Sequence, residues 1–195
     1  MARIAGVDDE SRRLLRAASV FGGAFSEAGV RAVLGEASGS VAAILTALVH
    51  QELLDRETTS DGRTFRFRHA LVRDAAYAML IDDDMRLAHE LAGDWLARQE
   101  GAEPLAIAEH LVRAEQPERA RMWYRRAAEQ ALASGDLRAA VERAEQALEC
   151  GALGAERAEL RLLQAEARSW TGSLDDAERW AIEAAEGSPL ESSTW

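Results

Sequence analysis

The chain has 195 residues and a net charge of −11, from 34 acidic residues against 23 basic ones, and every basic residue is Arg. With no Lys there is neither a phosphate-binding loop of the Walker A type nor a Lys Schiff base, and the acidic balance opposes generic binding to nucleic acid or anionic membrane. A single cysteine, Cys150, excludes an intramolecular disulfide and a Cys-rich zinc site, and is in keeping with a reducing, cytoplasmic setting.

Apolar residues make up 48 % of the chain. Much of that is Ala, the best helix former, so a mostly α fold is expected. The longest apolar run, Val41–Val49, is interrupted by Thr46 and falls short of the ~20 residues of a membrane span. Met1–Val7 lacks the apolar stretch of a signal peptide.

Asp8 or Asp9 is placed to cap a first helix carrying Leu14, Leu15, Ala18 and Phe21, closed by Gly22-Gly23. Ser26 caps a second, with Val30, Val33 and Leu34 inward and Gly35 at its end. Ser40 caps a third, where Val41, Ile44, Leu45 and Leu48 follow helical spacing. The period then changes. A strand is expected from Leu53-Leu54, Asp61-Gly62 is a hairpin signal, and Phe65 and Phe67 alternate with Arg66 and Arg68. Three helices and a two-stranded hairpin outline a winged-helix domain over residues 1–82.

Helix returns at His69–Leu80 and Met85–Gln99. Asp82-Asp83-Asp84 sits before the latter, where carboxylates favour the positive helix end; a divalent-cation site is the alternative. Residues 83–116 read as a linking helical hairpin. Further helices are expected over Pro104–Ala114, Pro117–Ala133, Leu137–Glu149, Ala155–Trp170 and Leu174–Glu186, with short, antiparallel connections. Gly135-Asp136-Leu137 with Ala144, Ala147 and Leu148 is echoed by Gly172-Ser173-Leu174 with Ala181, Ala184 and Ala185, 37 residues on. A turn glycine and small residues at close helix contacts are tetratricopeptide-like, near the ~34-residue period of that repeat; Ala120, Tyr124 and Ala127 are a weaker echo. Residues 117–195 thus read as an α-solenoid of such hairpins. Two clear repeats are few for a self-sufficient solenoid, so a truncated array, a fragment of a longer one, is expected.

The stretch Phe65-Arg66-Phe67-Arg68-His69-Ala70-Leu71-Val72-Arg73-Asp74-Ala75-Ala76-Tyr77 is the most distinctive. It resembles the end of the winged-helix domain in STAND-class (NB-ARC-like) signal-transduction ATPases and in bacterial ATPase-linked transcriptional regulators with helical repeat sensors. Leu14–Phe21 resembles the opening helix after the nucleotide domain, Leu45–Leu54 the segment before the wing, and Glu109-His110-Leu111 the start of the sensor. The resemblance runs from Ser11 to the end of the chain.

That resemblance implies a non-catalytic regulatory and interaction region. The winged helix would hold the nucleotide-bound off state, against the nucleotide-binding domain of the same parent chain. The repeats would sense a protein or small-molecule inducer. ATP or ADP would belong to the parent, with no cofactor in this chain. In the family, a His at the wing–helix junction, within a Met-His-Asp-like motif, reads the β-phosphate of ADP. Arg68, His69 and Ala70 stand at the matching positions, so only the His is kept, and the resemblance implies His69 with Arg68 as the nucleotide-phosphate-sensing residues in the parent. A helix N-terminus favours an anion there, and an imidazole donates to phosphate oxygen. The plainer use of His69 is to cap the helix or pack under the wing.

Other constellations are weaker. His50, His69, His89 and His110 have no His or Cys partner at zinc spacing. Ser40 lacks the Gly-x-Ser-x-Gly of a nucleophile turn. Arg56, Arg63, Arg66, Arg68 and Arg73 cluster around the wing among Asp55, Glu57, Asp61 and Asp74, as an ion-pair face or a phosphate contact. Val41–His50 carries no Arg, Lys or Asn for base readout, which sets DNA binding below the regulatory reading; a winged-helix DNA-binding regulator and a free-standing repeat adaptor are the alternatives. Trp95, Trp123, Trp170 and Trp180 lie in the helical half, where inter-helix packing is their plain use. Trp and Tyr also dominate binding hot spots, so Trp180, Trp170 and Tyr124 are the candidate partner-binding residues, with Trp180 lining a groove of the repeats.

Overall fold

The computed structural model describes residues 6–35, 40–59 and 62–187. It is mostly helical, with one small antiparallel sheet. The chain divides into two compact units between Gln99 and Glu100.

The first unit runs α1 (Asp9–Ser19), β1 (Ala24–Ser26), α2 (Glu27–Leu34), α3 (Val41–His50), β2 (Leu54–Thr59), β3 (Gly62–Phe67), α4 (Ala70–Tyr77) and α5 (Asp82–Leu96). Its helix starts are set by side-chain caps. Asp8 accepts from the backbone N–H and the hydroxyl of Ser11, both at 2.8 Å, which holds its carboxyl below the usual range. Ser26 accepts from the N–H of Gly29 at 3.0 Å, and Ser40 from that of Ala43 at 3.4 Å. Each satisfies a helix donor that would otherwise lack a partner.

The sheet has the order β1-β3-β2, all antiparallel. The sequence predicts only the β2–β3 hairpin. β1 is three residues long, too short for alternation to register, and joins the sheet by pairing Phe25 with Phe65. Their rings stack at 6.1 Å, with Phe67 at 5.7 Å from Phe25. Thr59 pairs with Gly62, and the intervening Asp61 lies outside the described residues. The apolar side of the sheet closes on Leu14, Leu15, Val30, Val41, Leu45 and Leu48, all fully buried.

α5 packs within the first unit. Trp95 on α5 and Phe21 stand edge to face with ring centres 6.0 Å apart, and the indole lies against Gly29 of α2. That contact and the burial of Ala88 and Ala92 bind α5 into the first unit. Asp82, Asp83 and Asp84 occupy the first turn of α5 instead of preceding it, on the positive end of the helix dipole.

The second unit is a run of antiparallel helices: α6 (Pro104–Arg113), α7 (Pro117–Ala133), α8 (Leu137–Glu149), α9 (Gly154–Trp170) and α10 (Leu174–Gly187). Each packs on the next, and α7 also meets α9. Buried Ala127, Ala128, Ala131, Ala140, Ala144 and Ala147 let the axes approach closely. The α7–α8 and α9–α10 turns are built alike. Gly135 and Gly172 have φ of 80° and 79°. The N–H of Asp136 donates to the carbonyl of Ala131 and that of Gly135 to Leu132; Ser173 donates to Arg168 and Gly172 to Ser169. Both are Schellman closures, and every partner is displaced by the same 37 residues that separate the sequence echoes. Among the described residues, no helix is long and apolar enough to cross a membrane.

Candidate functional site

His69 occupies the cap position of α4, two residues after the end of β3, with extended backbone (φ −130°, ψ 128°). Its carbonyl accepts from the N–H groups of Val72 and Arg73 at 3.0 and 3.4 Å. Its side chain makes no capping hydrogen bond and is exposed. The imidazole therefore stands at the positive end of α4, beside exposed Ala70 and Leu71.

Arg68 is engaged differently. Its guanidinium meets Asp55 at 3.0 Å and Glu52 at 3.2 Å. The hydrogen bond and charge of Asp55 raise its pKa above the usual arginine value. The backbone N–H of Arg68 donates to the carbonyl of Leu53 at 3.1 Å, which ties the end of the sheet to the start of β2. Arg66 pairs with Glu57 at 3.1 Å. Arg73 pairs with Asp74 at 2.7 Å and also reaches the carbonyl of Gly22 at 3.5 Å. Arg56 is exposed, and the side chain of Arg63 lies outside the described residues. The arginines around the sheet thus form an exposed ion-pair face, with His69 at its edge.

The outer side of α3 is formed by Ala42, Ala43, Thr46, Ala47 and His50, while Val41, Leu45 and Leu48 are buried. This face offers no Arg, Lys, Asn or Gln to read a base edge.

The aromatic candidates of the second unit separate into three environments. Trp170 is 73 % exposed. Trp180 is half-buried under the guanidinium groups of Arg168, Arg179 and Arg161, at 5.6, 5.7 and 5.8 Å from its ring centre, so its π-face is already occupied within the unit. Tyr124 is 5 % exposed, and burial raises the pKa of its hydroxyl. Tyr124 is thus packed among the helices of the second unit.

One buried polar network escaped sequence reasoning. Gln164 on α9 is fully buried. Its amide donates to the carbonyl of Val141 at 3.2 Å and to Glu145 at 2.9 Å, and its oxygen accepts from Arg161 at 2.6 Å. Arg161 also pairs with Glu145 and with Glu183, each at 2.9 Å. The network joins α8, α9 and α10. Its only sequence signal is a Gln within the apolar stripe of α9. In the first unit, buried His89 faces the Tyr77 hydroxyl at 2.9 Å from Nε2.

Burial, and then the charge of Arg113, push His110 down to about 4. Burial, and then Glu149, push the Cys150 thiol up, which makes it a poor thiolate source at neutral pH. Among the described residues, no three His, Cys, Asp or Glu side chains gather as metal ligands. No family model matches the chain, and no curated protein or solved structure shows significant similarity to it.

Proposed function

We propose that this chain is the regulatory and interaction region of a STAND-type signal-transduction ATPase. Its first unit would be a winged helix that clamps the nucleotide-bound off state, and its second a set of tetratricopeptide-like repeats that receives the activating signal. Support for the winged helix is the element order α1-β1-α2-α3-β2-β3 with sheet order β1-β3-β2. Support for the repeats is the pair of identical turn closures 37 residues apart.

The observation that carries the clamp is His69. It stands exposed at the sheet–helix junction, at the positive end of α4, with no capping duty of its own. An imidazole so placed can donate to a phosphate oxygen presented by a neighbouring domain. Arg68, held by two carboxylates, would position the junction and not touch the nucleotide. An inducer bound to the repeats would release the clamp only by preferring the open state over the closed one.

The test is His69→Ala in the parent protein, read as basal output without inducer and as ADP retention. Higher basal output with faster ADP release is the expected result. Unchanged values of both would remove the sensor role. The 195-residue chain itself should not hydrolyse ATP; turnover above buffer would contradict the non-catalytic reading.

A further inference from the structure

We infer that the cleft between the start of α8 and the end of α9 is a binding site for a small aliphatic carboxylate, held by the guanidinium of Arg168. As an account of the inducer this rests on the proposed function; as a site it stands on the geometry of the second unit alone.

The cleft has a volume of about 330 Å³, within the range of small-molecule sites. Its walls come from α8, from α9 and from the residue that closes α9, and both helices lie between described neighbours in the chain. Half-buried Leu137 and Val141 of α8 and buried Ala167 of α9 give it an apolar floor. At its rim, exposed Arg138 is already paired with Glu142 at 2.7 Å. Thr171 spends its hydroxyl proton on the carbonyl of Arg168 at 2.9 Å. The donor that remains for a ligand is the Arg168 side chain.

The state of Arg168 sets it apart from its neighbours. Arg121, Arg125, Arg138, Arg157, Arg161 and Arg179 of the same unit each meet a carboxylate. Arg168 meets none among the described residues, and its Nε is buried without a hydrogen-bond partner. Arg12 and Arg161 also bury an unpartnered Nε, but each holds a carboxylate through another nitrogen. A buried donor with no acceptor costs stability, and an acceptor supplied by a ligand removes that cost. The guanidinium of Arg168 is also held in place, 5.6 Å from the ring centre of Trp180 on α10. Its planar fork is therefore oriented before a ligand arrives, which lowers the ordering cost of binding.

Three features select the ligand. One free guanidinium matches one carboxylate through two parallel hydrogen bonds. Glu142 at the rim opposes a second negative charge, which sets a phosphate dianion below a monoanion. The floor of Leu137, Val141 and Ala167 asks for hydrocarbon behind the head group. An aliphatic monocarboxylate meets all three. It would touch α8 and α9 together and, through the Arg168–Trp180 contact, bear on α10.

The probe is hexanoate, titrated into the full chain and read from the arginine Nε–H resonances by NMR. Its controls are hexanamide, which lacks the charge, and acetate and inorganic phosphate, which lack the tail. Hexanoate should bind with a Kd on the order of 1 mM, and each control at least about tenfold more weakly. Arg168→Gln keeps part of the stem without the charge and should weaken hexanoate by about tenfold. Arg168→Lys keeps the charge without the fork and should fall between the two. Glu142→Gln, at an exposed position, is the independent variant and should tighten hexanoate by about threefold. Thermal unfolding checks that each variant folds. No saturation by about 10 mM hexanoate would overturn the proposal. So would hexanamide binding as tightly, which marks a merely apolar cleft, or phosphate binding as tightly, which marks an anion site with no use for a tail. An affinity unmoved by Arg168→Gln or by Glu142→Gln would overturn it too. None of these outcomes bears on the His69 measurements, so the carboxylate site and the nucleotide clamp stand or fall separately.

Discussion

Gln164 of α9 and Glu145 of α8 meet at 2.9 Å across a helix interface, and Gln164 has no solvent exposure at all. A buried amide is tolerable only with its partners in place. Here Glu145 also holds Arg161, whose side chain is 12 % exposed. Glu145→Ala strips one acceptor from both. It should destabilise the second unit by about 1.5–3 kcal/mol, the range for a lost hydrogen bond to a charged group. Glu145→Gln keeps an oxygen acceptor and should retain more than half of that. Hydrogen exchange in α8 and α9 is the direct measurement. A loss below about 0.5 kcal/mol in the Ala variant would mean that water replaces the carboxylate at no cost.

His110 makes the second unit sensitive to acid. It is 6 % exposed, and burial followed by the charge of Arg113 takes it from 6.5 to about 4. The unfolded chain takes up this proton near 6.5, while the folded chain refuses it until near 4. Between those values the unfolded state binds more protons, so stability rises with pH there. The contribution is fully present above 6.5 and drains away as pH falls toward 4. At about 1.4 kcal/mol per unit, the loss across the window is roughly 3 kcal/mol. His110→Leu should flatten it. Urea midpoints at about pH 7, 5.5 and 4.5 give the comparison, and a parallel decline in both proteins would place the acid sensitivity elsewhere.

The seat of α5 on the first unit turns on Gly29. A Cβ there would lie 3.1 Å from the Trp95 ring and 3.2 Å from the Phe21 ring. The two rings stand edge to face at 88°, so neither can yield without displacing the other. Alanine gains up to about 1 kcal/mol in helix propensity, but overpacking costs about 1–3 kcal/mol. Gly29→Ala should therefore destabilise the unit by about 1 kcal/mol net. In the background of Trp95→Leu the same change should become neutral or stabilising. That coupling, measured in a double-mutant cycle, separates the steric account from a purely local one.

The features legible in the sequence are those written in adjacent residues. Asp8, Ser26 and Ser40 announce their helices because a cap needs only the next three N–H groups. The alternation of Phe65 and Phe67 with arginines places β3 for the same reason. Tertiary facts were not legible. β1 exists because Phe65 offers Phe25 a partner 40 residues away in sequence, and α5 belongs to the first unit because Trp95 finds Gly29. The site divides along the same line. The place of His69 follows from a strand ending and a helix beginning. The burial of Tyr124 and the exposure of Trp170 depend on which neighbour each helix meets.

Gly135 and Gly172 give the sharpest check on whether the two turns are physically the same. Their φ angles differ by one degree, and no heavy atom lies within 4 Å of a Cβ built on either. Substitution by Ala therefore carries no steric clash, only the strain of a left-handed backbone, about 1–2 kcal/mol per residue. Gly135→Ala and Gly172→Ala should cost the same amount within about 0.5 kcal/mol, and the double variant should cost their sum, as expected of separated sites. The turn after α6 closes with the same two hydrogen bonds around Glu115, at φ 57°. The turn after α3 does the same around Glu52, at φ 58°, so the fold already bears this strain twice without glycine. Unequal costs at Gly135 and Gly172, measured by thermal unfolding, would show that the shared hydrogen-bond pattern hides different local stabilities, and that α10 frays independently of α8.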